Sequence, residues 1–94
     1  MEWNDMVIEN NRNCVLTILN YLCHHTGSVV ADLLEECSKK LKWQNSVPRT
    51  YYRGHQDATF IESMEKLANE GFIEIGDGDY VFMNWELHTL LENM

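Results

Sequence analysis

The apolar residues Cys14, Val15, Ile18 and Leu22 return at steps of three and four, flanked by Leu19 and Tyr21. That period gathers them on one helix face and predicts an α-helix from Arg12 to His25. Asn10 or Asn11 can cap it, Gly27 can stop it, and Cys23 falls opposite the centre of the stripe. A second stripe, Val30, Leu33, Leu34, Cys37 and Leu41, predicts a helix over Val29–Lys42, with Ser28 as its cap and Asp32 in its first turn. A third, Phe60, Ile61, Met64, Leu67 and Ala68, predicts a helix opened by the capping-box pair Thr59 and Glu62 and closed by Gly71. The pattern then changes. Phe72–Ile75 and Tyr80–Met83 are rich in β-formers and flank Gly76-Asp77-Gly78-Asp79, whose glycines tolerate positive φ, so the stretch reads as a β-hairpin. A short helix after Asn84, anchored by Trp85 and by Leu90 or Leu91, ends the chain. Residues 1–10, with Trp3, Met6, Val7 and Ile8, read as an N-terminal arm.

Between the second and third helices, residues 43–58 show no such period. Pro48 biases Val47 away from helix, and Gly54 permits a turn. A connection of this length inside a compact domain is often functional.

At 94 residues the chain suits a single α+β domain, spanning 1–94, with a core that needs neither metal nor disulfide. Its 45 % apolar and 23 % charged residues match a globular composition. The apolar runs are too short to span a bilayer, and the acidic, polar start is not a secretory signal. Three cysteines without regular spacing do not form a disulfide framework, which favours an intracellular, reducing setting in cytoplasm or nucleus.

Net charge is −8, but it is unevenly spread. Residues 1–37 carry six acids and one base, and residues 56–94 carry nine acids and one base. Residues 38–55 hold Lys39, Lys40, Lys42, Arg49 and Arg53 with no acid at all. The lysines have a structural reason to be there, since positive charge complements a helix C-terminus. The asymmetry also marks a candidate interaction surface.

Three helices followed by LANEGFIEIGDGDYVF, a helix end passing into strand, turn and strand, resemble the winged-helix superfamily over residues 12–83. The resemblance implies a helix-turn-helix core whose members bind DNA, proteins or both, with the third helix in the major groove and the hairpin on the backbone in the DNA readers. Two features depart from the DNA-reading pattern. The outward face of the third helix would show Glu62, Lys66, Asn69 and Glu70 with Glu65 at its margin, and the hairpin tip carries Asp77 and Asp79. Both would repel phosphate.

The basic stretch is the first candidate site. Lys39, Lys40, Lys42, Trp43, Arg49, Tyr51, Tyr52, Arg53 and His55 interleave cations with aromatic rings. That mixture suits phosphate contact and base stacking, and equally a protein hot spot. A third alternative folds the tyrosines onto the core. Glu62, Lys66, Asn69 and Glu70 form a second candidate surface. The set Cys14, Cys23, His24, His25, Cys37 and His55 lacks the paired close spacing of zinc ligands, and Cys14 and Cys37 sit on apolar stripes, where cysteine behaves as a small hydrophobe. Asp77 and Asp79 lack the further oxygen ligands of a calcium loop, and no motif marks a nucleophile. The sequence therefore leads us to expect a non-enzymatic protein-interaction module, an adaptor, regulator or inhibitor subunit beside nucleic-acid machinery, without cofactor. The alternative is a DNA-binding transcriptional regulator that uses the basic loop 38–55.

Overall fold

A computed structural model describes residues 3–25, 27–40 and 49–93, with side chains described outside 3, 4, 49–53, 91 and 92. The elements are α1 (Trp3–His24), β1 (Ser28–Val29), α2 (Val30–Ser38), α3 (Arg49–Asn69), β2 (Ile73–Ile75), β3 (Tyr80–Met83) and α4 (Trp85–Glu92). The strands form one antiparallel sheet in the order β1-β3-β2. The mixed helix-and-sheet class expected from the sequence is the one observed.

Helix α1 extends well before Arg12, so residues 3–10 are helix rather than arm, and neither Asn10 nor Asn11 is a cap. The reason is a stripe with a strict four-residue step: Met6, Asn10, Cys14, Ile18 and Leu22 are all buried. Asn10 hid that continuity, because a polar residue at a core position looks like an end. Its amide donates to His55 Nε2 on α3, 3.1 Å away, so the polar group is satisfied inside the fold.

Helix α2 is shorter than expected, and its cap position is Val29 with no side-chain cap. Ser28 lies instead in β1, opposite Val81, while Val29 lies opposite Tyr80. The β3 ladder thus captures the two residues before α2. Leu33 and Cys37 carry the buried face of α2, with Val30 and Leu34 packed at its margin; Leu41 lies outside the described residues.

The largest correction concerns α3. It begins at Arg49, so the second half of the expected connection, Gly54 included, is helical, and Thr59 is an interior residue. The expected bias of Pro48 against helix at Val47 falls outside the described residues. Thr59 is buried, and its Oγ1 lies 3.3 Å from His55 Nδ1, one turn back, rather than capping an N–H. Phe60, Met64 and Leu67 face the core as expected, whereas Ile61 is 54 % exposed.

The end of α3 follows the expected pattern. Gly71 has φ +81°, its N–H donates to Ala68 O at 3.1 Å, and the Phe72 N–H donates to Leu67 O at 2.9 Å. This pair of bonds is the Schellman closure. The chain then enters β2, whose Ile73, Glu74 and Ile75 lie opposite Met83, Phe82 and Val81. The turn tightens into a 3-10 segment at Asp77–Asp79, with positive φ at Gly78 and Asp79. Helix α4 is capped by Asn84 Oδ1, which accepts from the N–H of Glu86 at 2.9 Å and of Leu87 at 3.3 Å. Trp85 and Leu90 do not anchor it. They are 77 % and 62 % exposed, while His88 is buried and Leu87 packs against the core. The side chain of Leu91 lies outside the description.

Candidate functional site

The residues of the basic stretch separate into three groups. Lys39 and Lys40 are exposed just past α2. The Lys39 ammonium is held 3.2 Å from Glu36 Oε1, an exposed pair of little energetic weight. That hydrogen bond, then the charge of Glu36, raises the Lys39 pKa. Lys42 and Trp43 lie outside the described residues. Arg49, Tyr51, Tyr52 and Arg53 occupy the first turns of α3 rather than a loop; their side chains are outside the description.

His55 leaves the candidate surface altogether. It is half-buried between α1 and α3, bonded to Asn10 and Thr59. Because the Asn10 amide donates to Nε2, the ring proton sits on Nδ1 and is directed at Thr59 Oγ1. Burial holds its pKa below the usual 6.5, and the Glu62 carboxylate acts in the opposite direction.

The residues of the second candidate surface lie toward the end of α3. Glu62, Lys66 and Asn69 are exposed on α3, and Glu70 is exposed just past its end. Glu62 and Lys66 line a groove of about 490 Å³ shared with Arg12, Val15 and Leu16 of α1. Leu16 is 57 % exposed, and Ile8, two helical turns before it on the same face, is 64 % exposed. Sequence reasoning put Ile8 in an arm and missed Leu16. Their signal was present: Ile8, Arg12 and Leu16 repeat at a four-residue step outside the core stripe.

A further groove, of about 330 Å³, lies on the sheet side and is lined by Glu74, Tyr80, Phe82, Met83, Trp85 and His88. Val81 and Met83 face the core, so the pleat turns Tyr80 and Phe82 outward. The register sets Glu74 directly opposite Phe82. The Tyr80 and Phe82 ring centroids are 6.5 Å apart, and those of Trp85 and His88 are 6.3 Å apart in near-parallel planes.

The cysteines do not gather with histidines into a site. Cys14 and Cys37 are buried in the core, and Cys37 Sγ lies 3.8 Å from the Cys14 carbonyl oxygen. The mutual thiol hydrogen bond lowers the Cys14 pKa and, together with burial, pushes the Cys37 thiol up. Among the described residues no three of His, Cys, Asp and Glu are grouped to hold a metal ion. Nor is any described helix long and apolar enough to cross a membrane. Comparison of the chain with protein-family models, with curated proteins and with solved structures finds no match.

Proposed function

We propose that this chain is a non-enzymatic, intracellular protein-interaction module of winged-helix type, acting as an adaptor, regulator or inhibitor subunit. The winged-helix reading is supported by the element order, helix, short strand, two helices and a hairpin, and by the sheet order β1-β3-β2. The observation that carries the interaction reading is the α1–α3 groove. Exposed Leu16 and the outward charges Arg12, Glu62 and Lys66 stand together on two packed helices. Apolar contact surface bordered by charges of both signs suits a protein partner, where the aliphatics contribute affinity and the charges contribute register. Glu62 and Glu65 on the C-terminal half of α3, with Glu70 just past its end, disfavour a phosphate backbone there. The test is a pull-down from lysate with wild type, Leu16→Arg and Glu62→Lys, read by mass spectrometry. A partner retained by wild type and lost by both variants supports the reading. Identical protein sets from all three oppose it.

A second reading, a DNA-binding regulator, is favoured by one specific observation. The basic stretch supplies the N-terminal turns of α3, with Arg49 and Arg53 present and no acid before Asp57. In helix-turn-helix proteins the N-terminal residues of the recognition helix meet the bases, and a helix N-terminus itself attracts phosphate. Titration with duplex DNA at rising salt decides. Binding that falls steeply with salt and is lost in Arg49→Ala/Arg53→Ala supports it. No binding at micromolar protein and low salt excludes it.

A further inference from the structure

We propose that the aromatic groove of Glu74, Tyr80, Phe82 and Trp85 is a binding site for a cationic side chain, lysine or arginine, presented by a basic protein segment. Three observations combine. The groove brings three aromatic rings to one cavity of about 330 Å³, and a cation is attracted to the electron-rich face of such rings within about 6 Å. Trp85 is 77 % exposed, an unusual placement for the largest side chain of the chain's final helix. The register of β2 on β3 also sets Glu74 opposite Phe82, and Glu74 lines the groove, so a charge partner borders the rings.

The surroundings select the class of ligand. Between Lys66 and the end of the chain there is no lysine or arginine, while Glu70, Glu74, Asp77, Asp79, Glu86 and Glu92 all lie in that stretch. A zwitterionic choline headgroup would bring its phosphate against this field. A segment of lysines and arginines gains from it over its whole length. The acidic rim attracts the segment, and the rings distinguish a seated cation from one merely screened near the surface.

Gly27 contributes to the site from outside it. A Cβ at Gly27 would fall 2.7 Å from the Tyr80 hydroxyl oxygen. The absence of that atom lets the Tyr80 ring lie against the chain that leads into β1. This groove is separate from the α1–α3 face, so the two can fail independently.

The experiment is a titration of the isotope-labelled 94-residue chain with an arginine hexapeptide, followed by NMR at the three tryptophan indole N–H signals, with Trp85→Phe used for assignment. We expect the largest shift at Trp85, with Tyr80 and Phe82 amides following, and no response when citrulline replaces every arginine. Trp85→Ala should weaken binding about tenfold and Glu74→Gln about threefold, with the fold of each checked by its amide spectrum. Leu16→Arg, on the other face, should bind the peptide as wild type does. The proposal is overturned if shifts spread evenly over the acidic surface, if Trp85→Ala binds as tightly as wild type, or if phosphatidylcholine vesicles move the Trp85 signal and the peptide does not.

Discussion

Asn10 on α1 and His55 on α3 hold one another through a 3.1 Å hydrogen bond in which the amide donates to Nε2. The bond ties α3 to the polar position of the buried stripe on α1. Since Nε2 must stay unprotonated to accept it, the link is sensitive to pH. Burial keeps the His55 pKa below 6.5 in the folded state. The unfolded chain therefore takes up the proton first. Stability is intact above about pH 6.5 and is lost as pH falls through the folded value. Urea melts from pH 8 to pH 5 should show this decline in wild type and a flatter profile in His55→Gln. Asn10→Ala should cost about 1–3 kcal/mol at pH 8.

Two glycines should respond with opposite signs. Gly54 lies inside α3, and nothing stands within 4 Å of an added Cβ. Gly54→Ala should stabilise the protein by about 0.5–1 kcal/mol, because alanine reduces the freedom of the unfolded chain. Gly71 also has open space, but its φ is +81°. Gly71→Ala should destabilise by about 1–2 kcal/mol, the cost of a left-handed conformation for an L-residue. Thermal melts of the two variants read both signs. A destabilising Gly54→Ala would mean that Gly54 is not helical.

The three thiols should separate kinetically. Cys14 and Cys37 are buried and Cys23 is half-buried. A disulfide reagent at pH 8 should label one cysteine quickly and the other two only as fast as the protein opens. Peptide mapping should place the fast label on Cys23. In denaturant all three should react at similar rates.

Gly27→Ala should displace the Tyr80 ring, since the added methyl group and the phenol cannot share the same space. A side chain can swing away more readily than backbone can move, so the expected cost is modest, about 1 kcal/mol. Tyr80 fluorescence is masked by tryptophan, so the informative readouts are the Tyr80 ring protons by NMR and the urea midpoint.

The local signals in the sequence were sound where a few neighbouring residues suffice. The period of Cys14, Ile18 and Leu22, the left-handed stop at Gly71, the glycine turn between the two strands and the outward set Glu62, Lys66, Asn69 and Glu70 all depend on short-range geometry, and all are observed. What the sequence by itself determined is thus the class of the fold, the unit from the C-terminal end of α3 through β3, and the sign of charge on that half of the chain. Tertiary structure decided the rest. Asn10 lies in the core with its amide bonded to His55, Ser28 is a strand residue because Val81 pairs with it, and the first turns of α3 are helix although glycine and weak formers crowd them. The exposed places of Leu16, Ile61 and Trp85 belong to the same category. Burial of any one apolar residue depends on which other element covers it, and that partner lies far away in sequence.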